Sequence, residues 1–270
     1  MAHHFRYPLS LQTILPDDYA RDGDFGALLT LLQQLGFWGL ELNMSDPRIF
    51  DFEAVRGFLG RFNLELSMLA TGVTARRFGL SLSDPDESIR LRSVAKCREM
   101  IEWVRHPDTG VIIGRLKGGL SPDAAAARRQ FARSLAEILP FAEARRVRVL
   151  IEATNRRETA VANTVDEAAA LIDAREFRCA GVLPDTYHMN LEETDMLATL
   201  RRHAPRISSL HLSDDNRCYP GLGTIDFPKL LSLLQETGYT GRVAIEGNPR
   251  EDVKADLQAS ADYLAPLLAA

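Results

Sequence analysis

Four short apolar runs in the C-terminal half each end on an ionisable residue: Leu150-Ile151-Glu152, Val182-Leu183-Pro184-Asp185, Ser209-Leu210-His211 and Val243-Ala244-Ile245-Glu246. Short β-branched or apolar runs of this kind read as strands. Extended to their full lengths, they become Val147–Glu152, Gly181–Asp185, Ile207–Leu212 and Val243–Glu246. Four similar runs precede them, at Tyr7–Leu11, Gly39–Asn43, Glu65–Ala70 and Val111–Gly114. Amphipathic stretches with helix-start and helix-stop chemistry separate the runs. Thr164-Val165-Asp166-Glu167 fits a capping box, with threonine at the N-cap and glutamate at N3. Asp84-Pro85-Asp86-Glu87 offers an acidic cap with proline at the first helical position, and Ser121-Pro122 a third start. Gly238 closes the run Leu230, Leu231, Leu233, Leu234. Eight strand–helix units in 270 residues favour a closed parallel (β/α)8 TIM barrel of the α/β class over a sandwich or a bundle. No low-complexity stretch or Pro/Gly/Ser-rich linker divides the chain, so residues 1–270 are expected to form a single domain.

Composition narrows the function. The chain is 46% hydrophobic and 26% charged, with a net charge of −5. A mildly acidic surface does not attract polyanions, which argues against nucleic acid as a partner. No stretch approaches the roughly 20 apolar residues that cross a bilayer, and the first residues carry no secretory h-region. Cys97, Cys179 and Cys218 are widely spaced and make no C-x-x-C motif. They read as free thiols in a reducing, cytoplasmic setting. His3 and His4 read as a disordered terminal pair, His106 and His203 as solvent-facing, and Trp38 and Trp103 as packing residues.

In a (β/α)8 barrel the C-terminal ends of the strands converge on one mouth, where active sites lie. Glu152, Asp185, His211 and Glu246 would therefore meet there. One buried carboxylate could pair with an arginine, but three that converge without a cation would repel and resist ionisation. A divalent metal resolves that conflict, and three oxygen donors with one imidazole suit Mn²⁺, Mg²⁺ or Co²⁺, with Zn²⁺ also admissible. The flanking loops add polar groups suited to a polyhydroxylated small molecule. They are Asn155–Thr159, Thr186–Glu193, Asp214–Arg217 and Pro220–Gly223. Asp214 and Asp215 are placed to orient His211 or Arg217.

The segments E-x-x-N-R-x-E-T from Glu152, D-T-Y-H-M-N-L-E-E from Asp185 and H-L-S-D-D-N-R-x-x-P-G-x-G from His211 resemble the D-tagatose/D-psicose 3-epimerase group. That group belongs to the xylose-isomerase-like barrel superfamily. Asp46-Pro47-Arg48-Ile49, Thr71-Gly72 and Gly79–Ser83 look closer still to its 5-keto-L-gluconate epimerase branch. The resemblance implies one metal, usually Mn²⁺, on Glu152, Asp185, His211 and Glu246. It implies that Glu158, His188 and Arg217 hold the oxygens at the C1–C2 end of a ketose. It also implies a homodimer or homotetramer acting on a sugar or sugar acid.

The expected reaction is epimerisation of a ketose or keto-sugar acid next to its carbonyl, through a metal-stabilised cis-enediolate. A proton leaves one face of carbon and returns to the other, so two acid/bases are wanted, Glu152 and Glu246. Ala153-Thr154, Arg157 and Gly247–Arg250 depart from the family pattern. Arg115 and Lys117 are expected to face the mouth, and Arg115, Arg157 and Arg250 together would favour a carboxylate or phosphate on the substrate. Hydroxypyruvate isomerase and inosose dehydratase chemistry are the alternatives on the same barrel, and a catalytically inactive sugar-binding barrel is a third. Three-zinc repair endonucleases need histidines where the third and fourth strands end, and those ends read Ser67–Ala70 and Ile113-Gly114-Arg115.

Overall fold

Eight parallel strands make one sheet: β1 (Leu9–Ile14), β2 (Gly39–Asn43), β3 (Glu65–Ala70), β4 (Gly110–Ile113), β5 (Arg148–Glu152), β6 (Ala180–Leu183), β7 (Ser209–Leu212) and β8 (Arg242–Ile245). Their order is β6-β5-β4-β3-β2-β1-β8-β7, so neighbours in sequence are neighbours in space. β1 joins β8 from Leu9–Val243 to Leu11–Ile245. The last seam, between β6 and β7, carries the single bridges Val182–Ile207 and Asp185–His211. The sheet thus closes on itself almost completely, as a (β/α)8 barrel. This computed structural model describes residues 4–104, 109–173 and 177–268. His3 and His106 lie outside the described residues, and His4 is exposed.

Helices α1 (Gly23–Leu35), α2 (Phe52–Gly60), α3 (Gly72–Phe78), α4 (Glu87–Val104), α5 (Ala124–Arg145), α6 (Val165–Asp173), α7 (Thr186–Glu192), α8 (Met196–His203), α9 (Phe227–Glu236) and α10 (Val253–Leu264) alternate with the strands. Two helices, α3 and α4, separate β3 from β4, and α7 and α8 separate β6 from β7. Side chains alternate across a strand. Leu9, Leu11, Leu40, Leu42, Val111, Ile113, Val149, Ile151, Val243 and Ile245 pack outward with the helices in one large core. Met68, Ile112, Leu150 and Leu183 form a separate small cluster inside the barrel. That plug separates the mouth at the strand C-termini from the opposite end.

Helix starts differ in detail from the sequence expectation. Glu167 N donates to Thr164 Oγ1 at 3.1 Å, as a capping box requires, but the Glu167 carboxylate accepts from Asn163 N at 2.9 Å instead of from the cap residue. Asp86 accepts from Ser88 N, so Pro85 precedes the cap of α4 and does not occupy its first helical position. Asp123, not Ser121, caps α5, accepting from Ala126 N at 2.8 Å. β1 begins two residues later than Tyr7 and runs on to Ile14. Gly238 takes a φ of 67° after α9, where Tyr239 N donates to Leu234 O. Trp103 Nε1 donates to Phe50 O, consistent with a packing role.

Candidate metal centre and active-site cavity

Glu152 is the last residue of β5, and His211 lies within β7. Asp185 follows β6 as the N-cap of α7, and Glu246 is the first residue beyond β8. One donor atom from each of the four lies within 4.8 Å of the other three. Asp185 Oδ1 is occupied by Tyr187 N at 2.8 Å and His188 N at 3.2 Å, which leaves Oδ2 over. Asp185 Oδ2, His211 Nδ1 and Glu246 Oε2 are all buried without a hydrogen-bond partner among the described residues. His211 Nδ1 and Glu246 Oε2 stand 2.6 Å apart yet lack hydrogen-bond geometry, as donors turned toward one shared point do. Orphaned buried polar atoms cost free energy unless something binds them. Three carboxylate oxygens and one imidazole nitrogen fit a hard divalent cation.

The charges show the same strain. Burial, with Glu246 adding repulsion, pushes Glu152 up to about 7. Burial also drives Asp185 well above the usual carboxylate range. Glu246 feels the same burial, but His211 and Arg217 outweigh it and hold Glu246 at about 2. Burial opposes a charge on His211, yet Glu41 and Glu246 keep its pKa well above the ordinary imidazole value. A bound cation would take the place of that proton and satisfy all four groups.

Glu41 is a residue that strand-end reading passes over. It lies in the middle of β2, fully buried, and its Oε2 accepts from His211 Nε2 at 2.8 Å. That bond turns Nδ1 toward the centre, the orienting role that carboxylates play for metal-binding histidines. Gln12 Nε2 also donates to Glu41, and Asn43 Nδ2 donates to Gln12 Oε1 at 3.0 Å. The available signal was a charged residue in the run Gly39-Leu40-Glu41-Leu42-Asn43, where period two puts Glu41 on the face opposite Leu40 and Leu42. Asp214 and Asp215 do not touch His211. Asp214 accepts from Gly221, Gly223 and Ile225 N, and its carbonyl accepts from Arg217 N. It shapes the loop that presents Arg217.

Lys117 does not face the mouth. It is fully buried beneath the end of β5, where Nζ donates to Glu152 O, to Thr154 Oγ1 at 2.9 Å and to Ala162 O at 3.4 Å. The 3-10 turn Arg115–Lys117 between Gly114 and Gly118 carries it there. A Cβ on Gly114 would overlap Glu152 Oε2 and sit 3.3 Å from its Cδ, so glycine is what lets the carboxylate occupy its place.

Above the centre lies a cavity of about 220 Å³. Glu152, Glu246, Glu158, His188 and Arg217 all line it. His188 is 1% exposed, with Asn155 Nδ2 at 2.8 Å from Nδ1 and Arg217 Nη1 at 3.0 Å from Nε2. Burial and the Arg217 guanidinium hold its pKa down to about 3, so the imidazole is neutral. Asn155 Nδ2 also donates to Glu158 Oε1 at 3.0 Å, and Arg217 lies over the Tyr187 ring. Of the three arginines expected at the mouth, only Arg115 lines the cavity, and Arg76 from α3 joins it. Arg157 and Arg250 are exposed residues that do not line it. His203, expected in solvent, is 8% exposed and lies 2.5 Å from Asp166. Cys97, Cys179 and Cys218 are free thiols, and Cys218 N donates to Asn216 Oδ1 in the Arg217 loop.

A family model described as xylose isomerase-like TIM barrel matches residues 29–267, and the chain belongs to that family. It is an enzyme of the isomerase class. Over 235 residues it is 28% identical to ketose 3-epimerase from Arthrobacter globiformis, a match that covers 83% of this chain and 78% of that one. A shorter match of 117 residues is 33% identical to 3-dehydro-D-guloside 4-epimerase from Escherichia coli (strain K12), covering 43% of this chain and 44% of the other. In fold it is similar to D-psicose 3-epimerase from Clostridium cellulolyticum H10, solved with D-tagatose. The TM-score is 0.80 at 20% identity, over 97% of this chain and all of that one.

Proposed function

We propose that the protein epimerises a ketose or keto-sugar acid at the carbon next to the carbonyl, with Glu152 and Glu246 as the two acid/bases. The observation that carries this reading is the meeting of Glu152, from β5, and Glu246, from beyond β8, in one cavity floored by orphaned metal-type donors. A divalent cation held by Glu152, Asp185, His211 and Glu246 would acidify the C–H and stabilise the negative charge of the enediolate. The two carboxylates arrive from opposite sides of the cavity, so one can take the proton from carbon through its free oxygen while the other returns one on the opposite face. Neutral His188 and cationic Arg217 orient the substrate oxygens, and Glu158 accepts a hydroxyl hydrogen bond.

Relatives that bear 3-epimerase and 4-epimerase names support an epimerase reading while leaving the reacting carbon to be determined. Arg76 and Arg115 stand exposed on the cavity wall, and among the described residues neither has an ion-pair partner. That favours a keto-sugar acid over a neutral ketose. The same reading takes Mn²⁺ as the ion and residues 1–270 as one catalytic domain. It also takes a homodimer or homotetramer in the cytoplasm as the working form. Glu246→Gln tests the two-base scheme: proton exchange at the reacting carbon is lost while substrate still binds. Retained turnover in that variant would overturn it.

A further inference from the structure

The end of the barrel opposite the metal centre holds a second cavity, of about 460 Å³, beneath the Met68–Leu150 side of the interior plug. It exists because the first inward-facing layer is small. A Cβ on Gly110, which lines the cavity, would lie 2.8 Å from Met68 Cε, so an ordinary side chain there would take up part of the space. In place of the large branched residues that usually fill a barrel layer, two arginines stand at its rim, Arg148 exposed and Arg242 half-buried. Arg148 and Arg242 are the first residues of β5 and β8, two positions before Leu150 and Ala244, and share their inward face. Both line the cavity. Arg242 reaches across the barrel to donate to Ser67 O at 3.4 Å, with its guanidinium over the Trp38 ring. Arg148 has no ion-pair partner among the described residues.

Among the described residues, no aspartate or glutamate lines this cavity. Arg146 and Arg178 share an adjoining depression with Arg148, and its carboxylate, Glu143, accepts from Cys179 N. Ser209 also lines the cavity, is 2% exposed, and has a buried Oγ without a hydrogen-bond partner among the described residues. Two cations and an unused buried hydroxyl around one cavity call for an anion, as the converging carboxylates at the other end call for a cation. The space exceeds that of a chloride ion, and guanidinium forks match tetrahedral oxyanions.

We propose that this cavity is an anion site for a phosphate group, bound by Arg148, Arg242 and the Ser209 hydroxyl. The test uses full-length, metal-loaded protein in phosphate-free buffer, titrated calorimetrically with inorganic phosphate and, separately, with glycerol 3-phosphate. Saturable binding and a rise in Tm are expected for the unmodified protein. Arg148→Gln should weaken binding about tenfold or more while metal affinity is unchanged. Ser209→Ala, a smaller change that preserves packing, should weaken it several-fold and carries the test if Arg148→Gln does not fold. Equal affinity for the two probes marks free phosphate as the ligand, and tighter binding of the ester marks a phosphorylated metabolite. Absence of saturable binding overturns the proposal. So does binding that survives Arg148→Gln and Ser209→Ala but is lost in Arg76→Gln/Arg115→Gln, which would place the anion in the substrate cavity.

Discussion

Gly114→Ala separates the metal centre from the stability of the barrel. The new Cβ would fall inside the 3.0 Å that real Cβ contacts essentially never breach, against Glu152 Oε2, and 3.3 Å from Cδ. The clash falls on the far end of a side chain and not on backbone, so the fold can yield cheaply by moving the carboxylate. That movement is about 1 Å, a displacement known to cost on the order of 100-fold in a catalytic geometry. Metal–oxygen distances tolerate only about 0.2 Å, so Glu152 would lose its place among the ligands. Metal affinity should fall about 10- to 100-fold, or roughly 1.4–2.8 kcal/mol, and kcat with it. Calorimetric titration of stripped protein with Mn²⁺ measures the first, and urea unfolding of the metal-free forms measures the cost to the fold, expected below about 1 kcal/mol. Unchanged Mn²⁺ affinity in a folded Gly114→Ala protein would show that Glu152 is not a ligand. Loss of stability of several kcal/mol without metal would show that Gly114 serves the barrel instead.

Lys117→Met removes the donor to Glu152 O, Thr154 Oγ1 and Ala162 O, and should cost roughly 1–3 kcal/mol in urea unfolding. Unchanged stability would mean that the buried ammonium does not hold the end of β5. Glu41→Gln keeps the shape of the bond to His211 but not its charge, so Mn²⁺ affinity should drop about 10-fold or more with Tm of the metal-free protein little changed. Equal affinity would leave Glu41 a packing residue. For pH, Glu152 has a folded pKa raised to about 7, so its contribution is fully present below the ordinary carboxylate value and is lost as pH rises through 7. Next to Glu152→Gln, metal-free protein should therefore lose on the order of 3 kcal/mol more stability between about pH 4.5 and 7, buried His188 working the other way up to about pH 6.5 in both proteins, and saturating Mn²⁺ should remove the loss in the unmodified protein. Parallel metal-free profiles for the two proteins over that range would contradict the convergence of charges.

The four donors were legible because each ends, or stands next to the end of, an apolar strand, and barrel topology carries all such ends to one mouth. Glu41 was not, since it sits in the middle of β2 and only the interior of a closed barrel brings it against His211. Lys117 follows β4 closely, which on sequence alone points it at the mouth. Its direction is set by a single 3-10 turn between two glycines, which turns the side chain under β5. Arg157 and Arg250 failed for the same reason in reverse: adjacency in sequence to a ligand does not fix which way a loop side chain points. Pro205 and a nearby helix end predict solvent for His203, whereas Asp166 from α6 draws it in. Long-range partners of this kind leave no local periodicity to read.

Metal-dependent proton exchange next to a sugar carbonyl is the activity to measure first. Stripped and Mn²⁺-reconstituted protein would be incubated in D₂O with D-fructose, D-tagatose and a 5-ketohexonate, and the products followed by NMR. Deuterium at the carbon beside the carbonyl, together with the epimer and only in the reconstituted sample, is the expected result, strongest for the keto-acid. Bound Mn²⁺ with no exchange on any of the three, or exchange at C1 with an aldose product, would contradict it.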